Sequence, residues 1–567
     1  MLFELATPFN HLPVKVNKIS GTRVLWRNKL TAENSGMSDD MFASTYSWVT
    51  ENNPSQGDSK NRKIMFAERY GGFGIGTNGG GARVVNFGEA QIKGVGANAL
   101  AGDKALKSHS YGGLDIQGAV KEIIYSQLLN KISPVGAQNI SGLILIDKTS
   151  ALHNGNEAPS VLMVRERVAR PSHLLPCLSF RLKPEHRTIM RSDHSRILSI
   201  YRSIGKHSIL SDFYTLIQYF LDRSADQLSF FRMARLSHNA LTPSNICMDG
   251  RVLDTALCSF VISGSNYGQV TSFFEEPSIP ALVAKEWFYL IRKFLADIPA
   301  EEHFLKLYED KLHQYSCVNA GFIFALDREV STKVSSIPEW QKVSSKLFSL
   351  LSLGSPTKTS ISPSANATDF VNDILTASFY SILHGIKAKT ANVFLVEFID
   401  DLNSLITVMG PSLSWHDQNE NSFHKTIAIQ TIKRAVLSSY FFITHISGSV
   451  DDYCATGQID RTAKIINEHD HVGDWIYENL LSERCTIFSG NGVKIEYSSV
   501  ADGYLYRGQD GLEKCINDVH ALRYIIDINK NDYTIQNYNF YPYLRRLFAL
   551  LDGDAINSFS GVRNVFC

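Results

Sequence analysis

Residues 238–260 read HNALTPSNICMDGRVLDTALCSF, and the dipeptide Asp249-Gly250 inside this stretch predicts a tight turn. Asp-Gly is a strong signal for a two-residue hairpin loop of type I′, because that turn needs positive φ at both central positions. A hairpin folded there places Asn245 opposite Asp254. Directly opposed residues have Cβ atoms about 5 Å apart. An amide oxygen and a carboxylate would then face each other within reach of one cation.

This pairing makes Asn245 and Asp254 candidate ligands of Mg²⁺. Proteins typically hold Mg²⁺ through one or two carboxylates together with substrate phosphates. Protein kinases use an Asn of the catalytic loop and a later Asp in this way. The alternative interpretation is a surface hairpin whose ends happen to be polar.

A second candidate element lies upstream, where residues 70–81 read YGGFGIGTNGGG. Glycines let the backbone approach a phosphate closely and expose N–H donors, although a flexible turn has the same composition. Lys93 then ends a predicted strand, and Glu122 lies on a predicted helix over 118–129 whose apolar residues form one stripe. As isolated residues both are ordinary surface charges. A kinase-type phosphate site has the same parts in the same order along the chain: a Lys on a strand, a Glu on a helix and a later Asn/Asp pair.

These segments and others along the chain, taken in their sequence order, resemble the motifs of the SelO/YdiU family. That family comprises protein adenylyltransferases with a protein-kinase-like fold. The matches are loose but follow the family's sequence of motifs. They comprise residues 70–76, 80–84, 86–89, 91–96, 118–123, 167–173, 238–245 and 254–260. The segment 167–173 has one residue more than the family motif. The resemblance covers about residues 60–290 and continues weakly to about 400.

The resemblance implies an α+β, bilobal, kinase-like fold with a C-terminal extension. Family members bind ATP with its phosphates reversed relative to ordinary kinases, and they transfer AMP to protein hydroxyls. The implied cofactors are ATP and Mg²⁺. By analogy, Glu122 positions Lys93, and Asn245 and Asp254 hold Mg²⁺. The implied contacts to the nucleotide phosphates come from Lys93, Arg83, Arg167 and the glycine segment at Gly80 and Gly81.

Several departures from the family pattern bear on the chemistry. Ser244 stands where the family has its catalytic base, an Asp, and Gly81 replaces the Asp of the glycine-rich loop. Arginines are missing at Leu175 and in residues 112–114. A base that accepts the proton of a hydroxyl nucleophile contributes about 10²–10⁴-fold in rate. The chain is therefore either a pseudoenzyme or an enzyme whose acceptor is already ionised, such as a carboxylate with a pKa near 4.

The leading hypothesis is an adenylyltransferase that modifies a protein hydroxyl or a peptide carboxylate. Activating a carboxylate would prepare an ester or amide bond, as in the maturation of a siderophore-linked microcin peptide. The expected partners are the protein or peptide acceptor and an acyltransferase-like protein. The rival hypothesis is a pseudokinase scaffold or regulatory binding protein. An ordinary phosphotransferase is disfavoured because the catalytic Asp is missing.

The amino-acid composition also bears on the binding partners and the cellular compartment of the protein. The 567 residues include 56 basic and 56 acidic side chains, so nothing indicates a field that would attract nucleic acid or an anionic membrane. The N-terminus lacks the pattern of a secretory signal, and no apolar run reaches the length of a membrane span. The eight cysteines contain no Cys-x-x-Cys pair, which favours reduced thiols in a cytoplasmic protein.

The predicted layout has five parts. An N-terminal segment (1–60) precedes a nucleotide-binding lobe (61–190) and a helical lobe (191–350), followed by a linker and helices (351–404) and an extension of unknown role (405–567). The Ser/Thr/Pro-rich stretch 353–368 predicts a long loop. Helices are expected over 213–221, 287–295, 370–383 and 393–402, and strands near 486–506.

Overall fold

A computed structural model describes residues 2–53, 55, 57–105, 111–153, 156–186, 190, 192–206, 210–295, 301–354, 357–358, 369–387, 392–413, 420–480 and 483–553. The described residues are 52% helical and 19% strand, and their strands form mainly one large antiparallel sheet. This composition agrees with the predicted α+β class. The predicted loop over 353–368 lies mostly outside the described residues.

The large sheet is built by the first third of the chain. Its strands are β1 (His11–Lys18), β2 (Arg23–Arg27), β3 (Trp48–Thr50), β4 (Asp58–Glu68), β5 (Val84–Phe87), β6 (Ala90–Lys93), β7 (Ile140–His153) and β8 (Asn156–Glu166). They are ordered β2-β7-β8-β6-β5-β4-β1-β3. The strand expected to end at Lys93 is thus confirmed as β6. The sheet also runs across residue 60, because β1 pairs with β4.

Helices make up most of the remaining described chain. In order they are α1 (Leu2–Asn10), α2 (Lys29–Ser35), α3 (Asp39–Tyr46), α4 (Ile116–Ile132), α5 (Asp193–Lys206), α6 (Leu210–Ala234), α7 (Ile279–Phe294), α8 (Glu301–Asn319), α9 (Arg328–Val334), α10 (Pro338–Ser352), α11 (Phe370–His384), α12 (Val393–Ser412), α13 (Glu420–Leu437), α14 (Ile443–Ala455), α15 (Thr462–Ile476), α16 (Val519–Ile528) and α17 (Tyr541–Asp552). The helix expected over 118–129 corresponds to α4, and the other four expected helices correspond to α6, α7, α11 and α12.

Short strands complete the architecture. The small pairs are β9 (Leu236–Ser237) with β10 (Ser259–Phe260) and β15 (Thr534–Ile535) with β16 (Tyr538–Asn539). A second antiparallel sheet comprises β11 (Arg484–Gly490), β12 (Val493–Ser498), β13 (Gly503–Arg507) and β14 (Glu513–Ile516) in that order. The strands expected near 486–506 are therefore confirmed.

Helix α4 is buried more completely than its sequence suggested. Asp115 caps its N-terminus by accepting a hydrogen bond from the Gly118 N–H at 2.7 Å. Eleven of its 17 residues are buried, so the expectation of a single buried stripe was wrong. The reason is that α14 and α15, from the far end of the chain, pack on the helix as well. One hydrophobic core accordingly runs from the sheet through the helical part to the C-terminal elements.

None of the described helices combines the length and apolar character needed to cross a membrane. The seven described cysteines are all free thiols, as the sequence analysis expected.

Candidate functional site

Four charged side chains meet beneath the large sheet. The Lys93 ammonium lies 2.7 Å from Glu122 Oε2 and 2.5 Å from Asp254 Oδ1. The Arg165 guanidinium lies 2.8 Å from Glu122 Oε1 and 2.8 Å from the same oxygen of Asp254. Glu122 thus contacts Lys93 directly, as expected if it positions the lysine. These four residues are called the charge cluster below.

Strand register brings the two cations together. Strands β6 and β8 pair so that Lys93 lies opposite Met163 and Gln91 lies opposite Arg165. Because side chains alternate between the faces of a strand, Lys93 and Arg165 share one face of the sheet. Glu122 reaches this face from α4.

Asp254 enters the cluster from a strained turn. Its φ of +55° lies in the left-handed region, which residues other than glycine rarely adopt. The next residue, Thr255, anchors the turn by donating its hydroxyl hydrogen bond to the Glu122 backbone oxygen at 3.0 Å. Such strained positions persist where the surrounding structure enforces them, and they are frequent at active sites.

Burial makes the electrostatics of this cluster strong. The side chains of Lys93, Glu122 and Arg165 are 6%, 3% and 1% exposed, whereas that of Asp254 is 28% exposed. Burial by itself raises the pKa of Asp254, but Lys93, Arg165 and then Arg170 outweigh it and hold that pKa well below its ordinary value. Asp254 is thus the ionised group that solvent reaches most easily.

Arg170 adds a further buried cation. Its guanidinium donates to the Ser244 backbone oxygen at 2.9 Å and to Gln91 Oε1 at 3.3 Å, and it packs 5.0 Å from the centre of the Tyr70 ring. Its nearest cluster oxygen, Asp254 Oδ2, is 4.0 Å away. Gln91 Oε1 also accepts a hydrogen bond from Arg165 at 3.0 Å, so one amide orients both arginines.

The turn after Asn245 differs from the predicted one. Only Gly250 has positive φ, at +82°, and the loop has three residues instead of two. The Asp249 carboxylate accepts a hydrogen bond from the Arg251 N–H at 3.1 Å, which favours this turn with glycine in the left-handed position. Pairing shifts by one residue, and Asn245 accepts from the Leu253 N–H at 3.1 Å. The predicted opposition of Asn245 and Asp254 was therefore wrong.

The hydrogen-bond partners of the Asn245 side chain are uncharged among the described contacts. Its amide nitrogen donates to the Ala240 oxygen at 2.8 Å, and its Oδ1 accepts only a long 3.4 Å bond from the Ser244 hydroxyl among the described contacts. Ser244 also exchanges a 2.9 Å hydrogen bond with the Thr242 hydroxyl. Asn245 Oδ1 thus keeps capacity for a further partner.

The glycine-rich segment lies over this loop. A Cβ on Gly74 would come within 2.3 Å of the Thr242 methyl group, and one on Gly72 would touch Pro243. Gly80 lies so close to β4 that a Cβ would meet the Glu68 oxygen at 2.2 Å, and the Gly81 N–H donates to that same oxygen at 2.8 Å. The latter two glycines pack against the end of β4, and their phosphate contact stays a prediction.

The two arginines assigned to phosphates lie outside the charge cluster. Arg83 donates to the Gly113 oxygen at 3.0 Å. Arg167 pairs with the buried Glu68 at 2.8 Å and lies 2.9 Å from a ring nitrogen of His11. Arg167 and Glu68 line a neighbouring cavity of about 220 Å³. Their phosphate roles stay predictions.

Sequence reasoning missed Arg165, Arg170 and Gln91. A usable signal existed for Arg165, because it follows the apolar run 161–164 in a strand that is buried on both faces. A charge in such a strand is normally paired. Nothing local identifies Arg170, whose guanidinium donates to Gln91 and to the Ser244 backbone oxygen, both distant in sequence.

The donors at Asn245 and Asp254 suit Mg²⁺ in type. Both offer oxygen, and Asp254 Oδ2 has no hydrogen-bond donor among the described residues. Within the described chain no group of three or more His, Cys, Asp or Glu side chains could hold a metal ion. A protein site with so few ligands fits an ion that is held jointly with substrate phosphates.

Comparison with known proteins gives no family assignment: no model of a protein family matches the chain, and no curated protein matches it. The resemblance to the SelO/YdiU family therefore stays a prediction.

Proposed function

We propose that this chain is an ATP- and Mg²⁺-dependent nucleotidyltransferase that transfers AMP to a protein or peptide acceptor. The observation that carries the proposal is the buried contact of Lys93 with both Glu122 and Asp254, at 2.7 and 2.5 Å. In protein kinases a strand lysine pairs with a helix glutamate and binds the ATP phosphates, and a later aspartate holds Mg²⁺.

The surroundings of the cluster support a kinase-like, two-part arrangement. Lys93 and Arg165 belong to an antiparallel sheet, Glu122 to the helix beneath it, and Asp254 to a strained turn that leads into the helical part. A strained αL residue costs about 1–3 kcal/mol, so it favours a functional role for Asp254.

Each residue then has a role. Lys93 binds phosphate, Glu122 fixes Lys93, and Asn245 and Asp254 hold Mg²⁺. When bound, the ion would neutralise phosphate charge. Arg83, Arg167 and the glycine segment contribute phosphate contacts.

Ser244 bears on the identity of the acceptor. Its hydroxyl contacts Thr242 and Asn245, and no carboxylate or imidazole of the described residues hydrogen-bonds to it. In the transfer, an acceptor oxygen forms a bond to the α-phosphorus, and the bond from that phosphorus to the bridging oxygen breaks, releasing pyrophosphate. A hydroxyl acceptor must also lose a proton, whereas a carboxylate is already ionised. The site therefore favours a carboxylate acceptor, and the product is a mixed anhydride.

The alternative is a pseudokinase scaffold. Two observations favour it: Ser244 replaces a base, and Asp254 is already paired with two cations. A scaffold would bind a partner and would neither consume ATP nor release pyrophosphate.

Calorimetry with ATP tests the nucleotide site. We expect Mg²⁺ to strengthen ATP binding to the wild type and not to Asp254→Ala, because the substitution removes the ionised metal ligand. Asp40→Ala, at an exposed position of α3, is the control and should behave as wild type. Equal enhancement by Mg²⁺ in Asp254→Ala would contradict the site.

The chemistry is tested with α-labelled ATP and candidate peptides or proteins. An AMP adduct cleaved by hydroxylamine indicates a carboxylate acceptor, and a resistant adduct on Ser, Thr or Tyr indicates hydroxyl chemistry. Ser244→Ala should change transfer little if the acceptor is a carboxylate. Absence of ATP consumption with every partner present would favour the scaffold.

A further inference from the structure

Two arginines of the site have no role in the scheme above. Arg165 and Arg170 each expose 1% of their side chains, yet both approach Asp254, at 2.8 Å and 4.0 Å. Burying a guanidinium is costly unless hydrogen bonds and an opposite charge compensate for the lost water. Arg170, the more distant of the two from Asp254, therefore needs an opposite charge that compensates for its burial.

The local charges do not balance. Three buried cations, Lys93, Arg165 and Arg170, face Glu122 and Asp254. A third buried carboxylate, Glu68, pairs with Arg167 at 2.8 Å and also interacts electrostatically with Arg170, so four cations share three carboxylates. The surplus falls on Arg170. Its hydrogen bonds go to two neutral oxygens, and its buried Nε has no acceptor among the described residues. Within the described residues Arg170 makes no ion pair closer than 4.0 Å, so it is suited to an incoming anion.

Asp254 holds a position that a phosphate oxygen could take. One of its oxygens accepts from both Lys93 and Arg165, at 2.5 and 2.8 Å, which are distances typical of charge-assisted hydrogen bonds to phosphate as well. It is also the cluster member most exposed to solvent, at 28%. An anion entering from solvent therefore meets Asp254 first.

We propose that Arg165 and Arg170 are phosphate-binding residues, and that the Asp254 carboxylate occupies their site until a triphosphate replaces it. This inference rests on the proposed nucleotide site and adds its order of assembly. The phosphate first binds the cations that Asp254 contacts, and only then is the Asp254 carboxylate free to bind a divalent metal. Gln91 already orients both guanidinium groups, so they need little reorganisation to bind.

The test uses inorganic tripolyphosphate, which has the phosphates of ATP without the base. Binding is measured by calorimetry in EDTA, so that no metal contributes. We expect Asp254→Asn to bind tripolyphosphate at least tenfold more tightly than wild type, because the competing carboxylate charge is gone. Arg165→Met and Arg170→Met should each bind at least tenfold more weakly. Arg202→Met, on the exposed side of α5, is the control.

A second readout is metal binding without nucleotide. Electron paramagnetic resonance with Mn²⁺ should detect little binding to the wild type alone and clear binding once tripolyphosphate is added. Tight Mn²⁺ binding to the free wild type would overturn the proposed order.

The outcomes separate this inference from the proposed function. Equal tripolyphosphate affinity in wild type and Asp254→Asn overturns the inference even if the wild type binds Mg²⁺-ATP. Tripolyphosphate binding with the expected variant pattern, but without any binding of ATP, supports the inference and refutes the nucleotide function. If Arg165→Met does not fold, Arg170→Met in the Asp254→Asn background carries the test, and an unchanged affinity there is also a refutation.

Discussion

Replacing Lys93 and Arg165 by methionine, singly and together, tests whether the two cations serve the same two carboxylates. Each cation contacts both Glu122 and Asp254, at distances of 2.5 to 2.8 Å. Methionine is unbranched and flexible and can fill much of the vacated space, so the change removes charge with a limited packing defect.

The expected magnitudes follow from this sharing. Removing one partner of a buried ion pair costs about 3–5 kcal/mol when the other charge is left alone. In each single variant both carboxylates keep the other cation, so we expect a loss of about 2 kcal/mol, below that range. In the double variant Glu122 loses both cations and Asp254 keeps only the more distant Arg170. We therefore expect a loss of about 6 kcal/mol, which exceeds the sum of the single losses by about 2 kcal/mol.

The assay is urea unfolding of wild type, both single variants and the double variant. A loss of this size approaches the total stability of many domains, so all proteins are compared in the same concentration of a stabilising osmolyte. Lys342→Met, at an exposed position of α10, is the control and should differ from wild type by less than about 0.5 kcal/mol. Losses that add within about 0.5 kcal/mol would refute the shared cluster.

Two further perturbations test other parts of the structure. Gly74→Ala should destabilise the protein by about 1 kcal/mol more than Gly76→Ala, because both positions have positive φ but only a Cβ on Gly74 meets Thr242; equal losses in thermal unfolding would contradict this packing. Asp369→Asn should cost about 3 kcal/mol at pH 7, because Asp369 forms a buried ion pair with Arg235. Burial raises the pKa of Asp369, but Arg235 and hydrogen bonds bring it below the ordinary 3.8, so this stability exists above about pH 4 and is lost as the pH falls further. A loss that stays constant from pH 7 to pH 3 would contradict this assignment.

The meeting of Lys93 and Glu122 could be predicted from sequence because both lie in locally readable elements. A short strand ends at the lysine, a capped helix carries the glutamate, and their order along the chain matches a known arrangement. The strongest local signal nevertheless gave the wrong register. The Asp249 side chain bonds to the backbone two residues later and stabilises a longer turn. A shift of one residue is enough to separate Asn245 from the position opposite Asp254.

The partners of the site arginines could not be predicted from the sequence, for a different reason. Arg165 is brought to Lys93 by the pairing of β6 with β8, more than 70 residues apart in the chain. Arg170 depends on Ser244 and Tyr70, which are also distant in sequence. Such contacts follow from the topology of the sheet, and no local pattern of residues encodes that topology.

The C-terminal part has no recognisable motif, yet it contributes to the site through α4. Helix α4 carries Glu122 on the side that faces the sheet, and α14 and α15 cover another side. Tyr125 donates its hydroxyl hydrogen bond to the Phe441 oxygen, and Lys131 pairs with Asp470 at 2.7 Å. A rigid-body shift of α4 would break these contacts together with the 2.7 Å bond between Glu122 and Lys93. Residues more than 300 positions away therefore help to fix Glu122, so the C-terminal part belongs to the structural basis of the charge cluster even though it supplies none of its side chains.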